Sequence, residues 1–148
     1  MKENDIAKLG FKGYEVIKVQ IEKAAEEKKE SNVGFLFKVA KEKAENASKA
    51  NLFIGVQIET AGEKGYIVEV VIKGNFIMED MENENCDEAI VRNASAILFP
   101  YLRSIVSVMT SQLECETIIL PTMNFYKFFE ETEKEELFLP IERFEDFK

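Results

Sequence analysis

The sequence has no histidine and no tryptophan, and only two cysteines and three prolines. Without histidine there is no imidazole general base, no Ser-His-Asp or Cys-His arrangement and no histidine-ligated metal site. Cys86 and Cys115 lie outside any CxxC spacing. They read as two reduced thiols of a cytosolic protein rather than as a zinc site or a structural disulfide. Basic residues are also in deficit: 19 Lys and Arg against 28 Asp and Glu give a formal net charge of −9. Nucleic-acid binding needs a clustered basic surface to neutralise phosphates, and none is visible. An acidic surface suits solubility and basic partners. No apolar run comes near the roughly 20 residues of a membrane span, and Met1–Asp5 is too polar to open a secretory signal. The expectation is a soluble, cytoplasmic protein that does not insert into membranes.

No catalytic constellation stands out either. Gly62–Gly65 (GEKG) lacks the spacing of a phosphate loop and falls between two strand patterns. The acids Glu79, Asp80, Glu82, Glu84, Asp87 and Glu88 do not match the twelve-residue calcium pattern and read as a solvated loop leading into a helix. No cofactor, no metal and no enzymatic activity are expected.

What is present is a single-domain pattern: 148 residues, 46% of them apolar, without repeats or a Pro/Gly/Ser-rich linker. Four segments alternate apolar and polar residues with period two and predict strands. They are Tyr14–Glu22 (Ile17, Val19 and Ile21 on one side), Val33–Val39, Leu52–Ile58 and Tyr66–Ile72. Ala61–Gly65 predicts a hairpin turn, and Gly74-Asn75 a bulge that keeps Phe76 and Met78 in phase. Ala40–Ala50 has helix-forming residues but no apolar stripe, and is expected to be a solvated extension or loop. A long helix is predicted over Cys86–Leu113, capped by Asn85 and Glu88 and kinked at Pro100. Its apolar positions exceed one stripe, so one side can cover the sheet while the other needs a second partner. A shorter helix follows over Asn124–Glu136, with Phe125, Phe128 and Phe129 inward. The tail Leu137–Lys148 is too apolar to be inert and is expected to dock on the body, a neighbouring subunit or a partner. The fold class is α+β: a four-stranded antiparallel sheet covered by a long kinked helix and a shorter C-terminal helix.

One stretch is more specific. Asn93–Arg103 (NASAILFPYLR) resembles the first-helix signature of the SecB export chaperones. Leu120–Phe125 (LPTMNF) is similar to that family's proline-containing loop before its second helix, and Gly65–Phe76 (GYIVEVVIKGNF) to its fourth strand. The likeness is close over Leu52–Phe129 and looser over Tyr14–Val39. It implies a holdase that binds non-native polypeptides, among them preproteins delivered to the translocation ATPase SecA. It also allows a chaperone of one dedicated client, such as the antitoxin of a toxin–antitoxin pair, or an adaptor for a single partner.

The resemblance further implies a dimer of dimers, with Ile97, Leu98, Tyr101 and Ile105 as the oligomer face of the long helix. Flexible and aromatic side chains suited to varied apolar segments are Phe11, Phe35, Phe37, Phe53, Ile118, Leu120 and Met123, for several of which sheet packing is the competing role. Glu22, Ile67 and Glu69 fall where family members meet SecA. The chain departs from the family pattern in four places. Pro121 stands one position early, the segment joining the first two strands is short and lacks tryptophan, Lys18 replaces an expected acid, and the tail is apolar and acidic rather than polar and glycine-containing.

Overall fold

Apolar side chains that recur every second residue build four long strands, and the ladder between them satisfies their backbone groups. The computed structural model describes residues 9–43, 47–79, 90–131 and 138–139. The strands are β1 (Leu9–Lys23), β2 (Asn32–Lys43), β3 (Ala47–Glu59) and β4 (Tyr66–Glu79). A two-residue strand, β5 (Phe138–Leu139), completes a sheet of order β1-β4-β3-β2-β5. The first four strands pair antiparallel, and β5 runs parallel to β2.

Of the stretch Ala40–Ala50, expected to be a solvated extension or loop, residues 40–43 and 47–50 are instead paired strand. The ladder continues through Ala40↔Asn51 to Lys43↔Ser48. Ala40 and Ala50 are each 1% exposed. Pairing with an already formed ladder outweighs a weak helix propensity there.

The predicted bulge at Gly74 belongs to the neighbouring strand. β4 pairs with β3 without a break, whereas β1 carries two irregularities against β4, between Phe11 and Tyr14 and between Val16 and Lys18. Gly13 occupies the first with φ 103°, a left-handed value that an L side chain rarely adopts. The second changes the phase of β1. Val16 lies opposite Ile72 and Val19 opposite Val70 on the inner face, so Ile17 joins a small outer cluster with Ala40, Phe53 and Val71 instead of siding with Val19 and Ile21.

The inner face carries the core. Val39, Leu52, Ile58, Val68, Val70 and Ile72 are fully buried. A π-helical turn (Ile90–Ala94) leads into α1 (Ser95–Ser111), which lies on this face. Ser95, Leu98, Phe99, Leu102, Val106 and Thr110 are its buried residues, a helical repeat of three and four. Full burial of a Leu or Val stabilises by about 1.5–3 kcal/mol each. The 20-residue helical stretch Arg92–Ser111 contains an 18-residue window of mean hydropathy 1.2. By length and composition alone it could cross a membrane, contrary to the expectation that no stretch comes near a span. Its sheet-packed stripe makes it a core helix. Pro100 stands inside α1 on an exposed flank, where it has no N–H to donate to the Ala96 carbonyl.

Residues 112–124 return across α1, held by side chains. The Thr110 hydroxyl donates to the Val106 carbonyl at 2.8 Å and accepts the Ile118 N–H at 2.8 Å. Arg103 Nε donates to the Leu120 carbonyl at 3.0 Å. Asn124 then caps α2 (Phe125–Glu131), its Oδ1 accepting the Lys127 N–H at 3.1 Å. The cap at Asn85 and Glu88, the acidic stretch 80–88, residues 132–136 and the tail beyond 139 lie outside the described residues.

Candidate functional site

Three elements meet at one apolar pocket. β2 contributes Phe35, Leu36 and Phe37, β3 Ile54 and Gly55, and α1 Phe99 and Leu102, while Met123 and Phe125 close it from the segment leading into α2. The aromatic rings touch in series. Phe35 and Phe99 have centroids 6.4 Å apart, Phe99 and Phe125 meet edge-on at 5.4 Å, and Phe37 lies 6.4 Å from Phe125. The cavity holds about 10 Å³ of free space, close to the room one water needs. An incoming apolar side chain must therefore displace something. Phe35, 41% exposed at the rim, and the unbranched Met123 are the groups most able to yield.

Of the seven residues expected to contact a polypeptide, Phe35, Phe37 and Met123 line this pocket. The others lie elsewhere. Phe11 stacks in a separate aromatic group, 5.2 Å from Phe76 and 6.0 Å from Tyr101. Leu120, within the return segment, is fully buried, and Ile118 packs half-buried against the same core. Phe53 is on the opposite face of the sheet, in register between Lys38 and Lys73. Phe99 and Leu102 were missed as pocket residues. The signal was available: they are three apart in the ILFPYL string, on the helix side that meets the sheet.

The helix residues assigned to assembly divide in the same way. Ile97 and Tyr101 are exposed at 37% and 39%, and Ile105 is half-buried. Leu98 does not join them. It is fully buried over Gly74, because the row Leu98, Leu102 and Val106 faces the sheet. Tyr101 lies 4.5 Å from Tyr14 of β1, centroid to centroid. Next along the same face of β1, Val16 and Val19 remain 51% and 40% exposed. The seam between α1 and β1 is thus an open apolar strip.

On the outer face the register brings together the three residues assigned to SecA contact. Glu22 lies opposite Ile67, which lies opposite Glu59, and Glu69 follows two residues along β4. Lys18 reaches across to Glu69, Nζ to Oε1 2.9 Å, and so partly neutralises this acidic patch. Away from these surfaces, Lys64 in the β3–β4 turn meets Glu114 beyond α1 at 2.7 Å. Their hydrogen bond, and then their mutual attraction, hold the Glu114 carboxyl below its ordinary range and raise the Lys64 ammonium. Cys115 is half-buried and free, and Cys86 lies outside the described residues.

Comparison with known proteins fits this geometry. The family model for preprotein translocase subunit SecB matches residues 11–136. The protein-export protein SecB of Acinetobacter baylyi is 29% identical over 82 residues, 55% of this chain and 54% of that one. That of Anaplasma phagocytophilum is 31% identical over 93 residues, 58% of this chain and 59% of its own. The chain spans between half and two thirds of the length of these relatives. A SecB-like chaperone of Mycobacterium tuberculosis, solved with a ChAD peptide from the HigA1 antitoxin, superposes with a TM-score of 0.65 at 15% identity. The match covers 80% of this chain and 90% of that one. With a family match over most of its length, this chain belongs to the SecB family.

Proposed function

We propose that the protein is a cytoplasmic holdase chaperone that binds non-native polypeptides, among them preproteins bound for export, and does no chemistry. The observation that carries this reading is the pocket of Phe35, Phe37, Phe99, Phe125 and Met123. It is apolar, rimmed by an exposed phenylalanine, and placed beside β2 at the side of the four long strands. Such a surface selects for burial rather than for one sequence, which suits a binder of many unfolded chains. Family membership agrees with it. The test is suppression of aggregation for several unrelated unfolded proteins, with native proteins as controls. Binding to native proteins alone would end the reading.

The chain assembles, on this proposal, as a dimer of dimers through the α1–β1 strip of Tyr14, Val16, Val19, Ile97 and Tyr101, whose exposure in a lone subunit leaves a large apolar area in water. Light scattering at micromolar concentration that returned a monomer would remove it. Glu22, Ile67 and Glu69 would then face outward as a docking site for SecA, with carboxylates steering a basic partner and Ile67 supplying burial. A second reading, a dedicated client such as an antitoxin, is favoured by the peptide-bound chaperone of the same fold. Saturable binding of one partner without protection of unrelated clients would select it.

A further inference from the structure

We propose that the segment carrying Phe138–Leu139 is an internal competitor for the client groove, seated on the edge of β2 where a bound polypeptide would otherwise run. This inference rests on the client-binding reading above. Apart from β5, β2 is the outer strand on its side of the sheet, and the backbone N–H and C=O groups along an outer strand can bind an extended peptide. β5 takes part of that row. Phe138 is in register with Val39 and Leu139 with Ala40. The pocket residues Phe35 and Phe37 are on the same strand, two to four residues away. At about 3.3 Å per residue this is roughly 7–13 Å, so a peptide of five or six residues laid along β2 past the pocket meets β5.

Two further observations mark the occupant as a client-like addition. The family match ends at residue 136, just before it. Its sequence, Leu137–Ile141, is apolar like a client segment. The hold is also built to be weak. Among the described residues two register pairs form, and the next residue in the sequence, Pro140, has no N–H to extend a ladder. Tethering gives so short a strand a high local concentration, while a longer client can displace it by pairing with more of β2. The apparent client affinity falls by the fraction of chains left open, so closure of about nine-tenths weakens it about tenfold.

The experiment compares the full-length protein with its Phe138→Pro/Leu139→Pro variant, whose changes lie outside the family core. Two quantities are read: amide exchange along residues 38–41, and affinity for fluorescent, reduced and carboxymethylated α-lactalbumin as an unfolded probe. The expected result is faster exchange at β2 amides pointing away from β3, and client binding tighter by about tenfold. A synthetic peptide of residues 137–148 added to the variant restores the weaker binding. Unchanged affinity in a variant whose β2 exchange has risen overturns the competitor and leaves the chaperone reading standing. Unchanged exchange overturns it as well, since β5 then holds nothing. Failure of both proteins to bind the probe overturns both readings together.

Discussion

Leu98 lies so close over Gly74 that a Cβ at Gly74 would come within 2.9 Å of one Leu98 methyl and 3.1 Å of the other. The same atom would meet the Phe76 ring at 2.8 Å. Contacts that short force a shift of α1 or an off-rotamer Leu98. Gly74→Ala is therefore expected to destabilise the fold by about 1–3 kcal/mol, read as a lower urea midpoint at unchanged slope. Pairing it with Leu98→Ala should recover part of that loss, because the cavity left by one change accepts the methyl of the other.

Thr110 holds the return segment with a single hydroxyl that both donates and accepts. Thr110→Val keeps the shape but strands the Ile118 N–H, at a cost of about 1–3 kcal/mol. Amide exchange should accelerate at Ile118 first, and Thr110→Ser should restore most of the protection.

Phe35→Asp and Phe99→Ala should separate binding from stability. Phe35 is at the rim, so its substitution is expected to weaken client binding about tenfold or more with little change in melting temperature. Phe99 is 5% exposed, and its truncation should cost about 3–5 kcal/mol of stability as well as binding. Fluorescence titration and thermal melts on the same samples check both.

Glu69→Lys should weaken SecA binding without altering assembly or client affinity. In the native protein Lys18 already engages Glu69, so Lys18→Gln is expected to act in the opposite direction by freeing the carboxylate. Both effects should fall chiefly on the association rate and fade as salt rises. Surface plasmon resonance at two ionic strengths decides it; identical rates for all three proteins would exclude this face.

The Lys64–Glu114 contact predicts a direction for each titration. Glu114 should lose its proton below the ordinary glutamate range and Lys64 above the ordinary lysine range. The carboxylate's contribution is present above the ordinary glutamate value and is lost as pH falls through the depressed one. The ammonium's contribution is present below the ordinary lysine value and is lost as pH rises through the raised one. Carboxyl NMR should show Glu114 returning to the ordinary range in Lys64→Gln.

Most of the sheet and the long helix were legible where one period and one buried face persist, as in Leu52–Ile58 or Leu98–Val106. Ala40–Ala50 was not, because its residues favour a helix singly and only the neighbouring strand makes them extended. Ile17 was misplaced because a bulge changes phase without a marker in composition; Gly13 was the visible hint of the irregularity before it. The site was half legible. Phe35, Phe37 and Met123 share a pocket; alternation already set Phe53 opposite Leu52 and Ile54, but Phe11 and Leu120 could be sorted only by knowing what each packs against. That depends on packing between segments far apart in the chain.

The two irregularities of β1 matter beyond phase. A flat outer strand would invite stacking into cross-β fibres. Here one border is crimped at Gly13 and again at Ile17, so an incoming strand finds its donors and acceptors out of step. The opposite border is straight and carries β5. The molecule thus has one regular border, already partly paired, and one that resists uncontrolled growth.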